Sequence, residues 1–142
     1  QDSTVTPRRV AQATDIAAAT EAIAVGFGTV DSDGFLGYGI KRRTPDTVRI
    51  MTRDCGELGA PKRYGCLAGR EVVAGHHSRL TDTCRGDSGG PLYIQDADGE
   101  YLLLGATSRG ARGGFTNCGY GGIYVRVDLC LDWIREVTGV AL

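Results

Sequence analysis

The chain has 142 residues, 42% of them hydrophobic and 23% charged, which fits one globular domain able to bury a core of its own. A formal net charge of -1 argues against a nucleic-acid or membrane-surface partner, because both select a basic face. No apolar run approaches the roughly 18 residues that span a bilayer, so no membrane partner is expected.

The sequence starts at Gln1 with no initiator Met and no basic leader, which reads as a processed product. Its opening, QDSTVTPRRVAQAT, is polar and reads as an extended arm, with residues 1–19 outside the main domain. Thr14 to Val25, TDIAAATEAIAV, is Ala-rich with Asp15 near its start, a helical composition that the strand-like flanks contradict. From there 22 glycines punctuate short β-branched and aromatic runs: AIAVGFGTV, GFLGYGIKRR, DTVRIMT, REVVAG, GPLYIQD, EYLLLGATS and GGIYVRV. Short strands between turn residues predict an all-β fold. The Asp-Gly in DADGE predicts a hairpin between Pro91–Gln95 and Tyr101–Thr107. At the end, Leu129, Trp133, Ile134 and Val137 recur at helical spacing before Gly139, which predicts a closing helix over 129–138.

The cysteines are Cys55, Cys66, Cys84, Cys118 and Cys130. None forms a C-x-x-C pair, so a metal site is not expected and disulfides in an oxidising compartment are. An odd number leaves one as a free thiol or as a bond to another chain.

One stretch carries chemistry. In TDTCRGDSGGPLY, Thr81 to Tyr93, Ser88 lies between Asp87 and Gly89-Gly90. A serine hydroxyl attacks only when a base takes its proton. Gly86 permits a turn that aims the N–H groups of Gly86 and Ser88 at a developing oxyanion. A Gly-rich loop with an exposed serine is the plainer alternative. A nucleophile of the α/β-hydrolase kind requires an acid and a His after the serine, and no His follows Ser88. The two histidines, His76 and His77, precede it and read as surface residues.

DTCRGDSGGPL resembles the nucleophile segment of the chymotrypsin/trypsin family of serine peptidases. AVGFGTV, YGCLAG, LLGATSRG and GGIYVRV…LDWI resemble, in order, further segments of the same family over about residues 20–138. The resemblance covers only the second of that family's two barrels. It implies an all-β fold, a six-stranded antiparallel β-barrel with a C-terminal α-helix, over residues 20–142. The family's catalytic His and Asp belong to the first barrel and have no counterpart here. The implied protein is therefore the C-terminal chain of a two-chain, secreted or periplasmic endopeptidase, cut in a basic linker such as Arg8-Arg9. An N-terminal barrel chain of the same precursor is its implied partner, and no cofactor is implied. The alternative is an inactive homologue that serves as a binding or scaffold protein.

The resemblance also assigns roles. Ser88 is the nucleophile, and Gly86 and Ser88 form the oxyanion hole. Asp87 is not the triad acid but accepts an activating α-amino group. Asp82 floors a pocket for Arg or Lys of a protein or peptide substrate, with Thr83 beside it, Tyr124 behind it and Gly110 and Gly122 as its walls. Ser108 pairs with the substrate backbone. Arg109 stands where the family carries an aromatic, usually Trp, and is expected to touch substrate. The implied disulfides are Cys55–Cys66 and Cys84–Cys118, which leaves Cys130 for an interchain bond or a free thiol.

Overall fold

The computed structural model describes residues 6–75, 81–113 and 118–140. In chain order the elements are α1 (Ala13–Ala18), β1 (Glu21–Gly26), β2 (Arg42–Arg43), β3 (Val48–Thr52), α2 (Ala60–Tyr64), β4 (Glu71–Gly75), β5 (Pro91–Gln95), β6 (Tyr101–Gly110), β7 (Gly122–Arg126) and α3 (Leu131–Thr138). All strand pairs are antiparallel. The ladder runs β1-β3-β4-β7-β6-β5 and closes through β5 on β1, while β2 extends the end of β1. This is the expected closed six-stranded barrel. Closure removes the unpaired edges that an open sheet of these short strands would expose.

Alternation of side chains fills it. Ala22 and Ala24 of β1, Val48 and Ile50 of β3, Val72 and Ala74 of β4, Leu92 and Ile94 of β5, Leu102 and Leu104 of β6, and Tyr124 of β7 point inward as one cluster. Leu104 is fully buried. Leu104→Ala is therefore expected to cost about 2–5 kcal/mol of stability, read from the denaturant midpoint at unchanged m-value.

The outer faces of Val73 and Ile123 are covered by a second cluster with Ala60, Tyr64 and the Cys55–Cys66 disulfide. Helix α2 was not legible in the sequence. At five residues, with left-handed Gly59 and Gly65 at its two ends, it is too short to show a period.

The arm is closer to the barrel than its polar sequence suggests. The N–H of Ala11 donates to the Leu103 carbonyl and that of Leu103 to the Arg9 carbonyl. Ala11 and Ile16 enter the core. The Ala-rich stretch forms α1, capped where the Gln12 N–H donates to the Asp15 carboxylate. It ends at Ala19, whose carbonyl accepts from Arg53. The strand pattern resumes at Glu21, so helix and strand signals overlapped in the sequence and both were real. The run GFLGYGIKRR forms a turn-rich loop in which only Arg42 and Arg43 pair as strand. At the other end the closing helix begins at Leu131, after a 3-10 turn over Asp128–Cys130.

Candidate active site

The serine turn is fastened from three directions. The Asp87 carboxylate accepts from the N–H of Gly28 and from that of Cys84, each at 2.8 Å. Thr107 of β6 accepts from the Gly89 N–H and donates to the Gly90 carbonyl, each at 2.9 Å. The Cys84–Cys118 disulfide ties the turn to the segment leading into β7.

The glycines explain one another. A Cβ on Gly26 would lie 1.9 Å from Asp87 Oδ1, and one on Gly28 would lie 2.7 Å from it. The Gly-Phe-Gly that starts at the last residue of β1 thus leaves room for that carboxylate. Gly86 at φ +90° and Gly89 at φ +81° hold left-handed conformations in which side chains are strained.

Ser88 is exposed at the crown of this turn. Among the described residues, no acceptor takes the N–H of Gly86 or of Ser88, and nothing bonds the Ser88 hydroxyl. His76 and His77 lie outside the described residues. The Tyr38 ring packs against Gly86, where a Cβ would come within 2.5 Å of its Cε2.

Asp82 is largely desolvated. Its oxygens accept from the N–H groups of Gly119 and Gly121, both at 2.6 Å. Burial raises its carboxyl above the ordinary range, although those N–H groups pull the other way. Thr83 Oγ1 and Tyr124 Oη lie 3.3 Å apart, in hydrogen-bonding contact. Burial also raises the Tyr124 phenol, which stays neutral. A Cβ on Gly122 would strike this pair, 2.7 Å from the phenol oxygen and 2.9 Å from Thr83 Oγ1. Gly122 and Gly110 face each other across β6 and β7.

Two cavities flank the serine turn. One, of about 480 Å³, gathers Asp82, Thr83, Cys84, Asp87 and Gly28 but not Ser88. The other, of about 460 Å³, is lined by Gly86, Ser88, Phe27, Tyr93, Tyr101 and the cations Arg8, Lys41 and Arg43. Neither of these two is lined by Ser108, Arg109, Gly110 or Gly122.

The Arg109 side chain is engaged by Glu71. It forms a two-pronged ion pair with Glu71, Nη1 to Oε1 at 2.7 Å and Nη2 to Oε2 at 2.8 Å. Burial disfavours charge on Glu71, but the Arg109 hydrogen bonds, the Leu67 N–H and the guanidinium charge outweigh it and hold the carboxyl below its usual range. Glu71 was missed in the sequence. Its signal was an acid opening the otherwise apolar run EVVAG.

A closed antiparallel barrel that presents a serine on a glycine-braced turn is the architecture of a serine-protease half-domain. The trypsin family model matches residues 1–134, and the chain belongs to that family. It is 41% identical over 97 residues to transmembrane protease serine 9 of Rattus norvegicus, a match covering 67% of this chain and 8% of that protein. It is 34% identical over 116 residues to transmembrane protease serine 11E of Mus musculus, covering 81% of this chain and 26% of that protein. With transmembrane protease serine 11C of Mus musculus the identity is 31% over 122 residues, covering 85% of this chain and 27% of the relative. The matches thus span about a quarter or less of each relative. Among the described residues, no helix is long and apolar enough to cross a membrane.

Proposed function

We propose that this chain is the nucleophile-bearing half of a trypsin-like serine endopeptidase that cuts after Arg or Lys. Its catalytic His and Asp come from a first barrel, carried on an N-terminal chain of the same precursor. The observation that carries the reading is the serine turn itself. Ser88 is exposed, two N–H groups beside it are uncommitted, and a desolvated carboxylate, Asp82, stands six residues earlier. With an imidazole supplied, Ser88 Oγ attacks the scissile carbonyl and gives up its proton. The Gly86 and Ser88 N–H groups then stabilise the oxyanion, a mechanism inherited from the family template.

A carboxylate is the charge complement of a guanidinium or ammonium, and Asp82 lines the cavity beside the serine turn. Thr83, Tyr124, Gly110 and Gly122 shape the pocket, and Ser108 offers its carbonyl to the substrate backbone as an added strand. Asp87 has room beside it, in the 480 Å³ cavity, for an α-amino group of the partner chain. The half-buried Cys130 thiol is the attachment point for an interchain disulfide. Two disulfides, and relatives whose names place them as transmembrane proteases, support a secreted or cell-surface setting.

A fluorophosphonate probe tests the reading. Ser88 is expected to be labelled in the assembled two-barrel protein and not when the first barrel is omitted. Labelling without it would place the base within this chain. No labelling in either case would favour an inactive, partner-binding homologue.

A further inference from the structure

The strand that would receive the substrate is built less securely than the rest of the barrel. Beyond Ala106, β6 has left its partner β5, and the register with β7 shifts between Thr107 and Arg109. Among the described residues, 108–110 therefore have one strand neighbour, an interrupted ladder and an unpaired edge. An extended peptide pairs more tightly with such an edge when the edge is held in place beforehand, because less ordering is left to be done on binding.

The Arg109 side chain reaches from this segment across β7 to the start of β4. Besides its fork on Glu71, Nη2 donates to the Gly65 carbonyl at 2.9 Å and Nη1 to Ser108 Oγ at 3.1 Å. The Glu71 side chain is only 3% exposed, and its Oε2 also accepts from the Leu67 N–H at 2.7 Å. The same corner is tied again three residues on, where the Arg112 N–H donates to the Tyr64 carbonyl at 2.8 Å. The Gly65 and Tyr64 carbonyls sit at the α2 end, within the loop that the Cys55–Cys66 disulfide closes, and Glu71 opens β4 a few residues further on. An exposed ion pair would hold little, but here one partner is a buried carboxylate that cannot be left unpaired. A lysine offers one charge and no fork, so the geometry is particular to arginine.

We propose that Glu71 and Arg109 form a brace that pre-positions the backbone of Ser108–Gly110 for strand pairing with substrate. Glu71 is thus a positioning residue, and the Arg109 guanidinium is withdrawn from substrate rather than offered to it. The inference rests on the peptidase reading above. It separates substrates by length. A blocked single Arg arylamide uses the serine turn and the acidic pocket, whereas a blocked tripeptide ending in Arg also uses the braced edge.

The test compares Glu71→Gln with the unaltered two-barrel enzyme on both substrates. KM for the tripeptide is expected to rise about tenfold with kcat nearly constant, the pattern of lost uniform binding, while the single-residue substrate is unaffected. If Glu71→Gln fails to fold, the double variant Glu71→Leu with Arg109→Leu replaces the pair by apolar groups, and the tripeptide's advantage over the single residue is expected to be lost there too. Equal losses on both substrates, or an unchanged tripeptide KM, would overturn the proposal. Should the unaltered enzyme hydrolyse neither substrate, the peptidase reading fails separately, and hydrogen exchange judges the brace. Faster exchange at the Ala111 and Arg112 amides in Glu71→Gln, with the Leu102 amide unchanged, supports it. Unchanged exchange at Ala111 and Arg112 sinks it.

Discussion

Replacing Ser88 by Ala is expected to lower kcat of the assembled enzyme by about six orders of magnitude with KM little changed. Binding does not depend on this hydroxyl. In the proposed reading the substrate backbone pairs with the edge at Ser108, and the basic side chain goes to Asp82. Nor does the fold depend on it, because the turn is held by Asp87, Thr107 and the Cys84–Cys118 disulfide, and no described residue bonds Ser88 Oγ. The variant should therefore melt at the temperature of the parent, which separates a chemical loss from a structural one. The Gly86 and Ser88 N–H groups would survive the substitution and leave a residual rate of roughly 10³–10⁴ over water. Retention of more than a few per cent of the parental rate would mean that another group performs the attack. The measurement is active-site-normalised hydrolysis of a tripeptide Arg arylamide, beside a thermal melt.

The sequence carried the barrel and the serine turn because both rest on strong local constraints. Alternation put Leu92 and Ile94, and Leu102 and Leu104, on one face, and those residues are the core. The Gly-Asp-Ser-Gly-Gly run was readable because left-handed backbone and close approach leave few residue types that fit. The run around Phe35, Leu36, Tyr38 and Ile40 misled for a definite reason. It has strand composition, but Asp31 accepts from the N–H groups of Phe35 and Leu36 and turns the chain, leaving those apolar side chains exposed. Hydrogen bonds from backbone groups to side chains distant in sequence leave no pattern at all. Asp82 takes the N–H of Gly119 and Gly121 across the disulfide, and nothing in the residue types at those positions announces it. Arg109 was legible as a departure from the family, yet its direction was not. Only the fold puts Glu71 within its reach, two strands away.

The sharpest consequence concerns Asp82. Asp82→Ser is expected to reduce kcat/KM for Arg and Lys peptides by about 10⁴-fold, because a desolvated charge that pairs with substrate is replaced by a short neutral hydroxyl. Turnover of a Phe peptide should change far less, so the preference for a basic residue collapses rather than the enzyme. The pH dependence gives an independent signature. Burial favours the neutral form of Asp82, so its folded pKa lies above the value in the unfolded chain. That group therefore contributes stability at pH below the unfolded value and loses it as pH rises through the folded one. At neutral pH the free enzyme thus holds a carboxylate that would be better neutral, and an amidinium inhibitor supplies the missing countercharge. Binding of such an inhibitor should weaken as pH falls through the folded Asp82 pKa, beginning above the ordinary carboxylate range, since the amidinium itself stays charged throughout. Inhibition constants measured from pH 4 to 8 in parent and Asp82→Ser check this. The parent should show an acidic limb, and the variant should show weak, flat inhibition. A flat profile in the parent, or an undiminished preference for Arg in the variant, would remove Asp82 from the floor of the pocket.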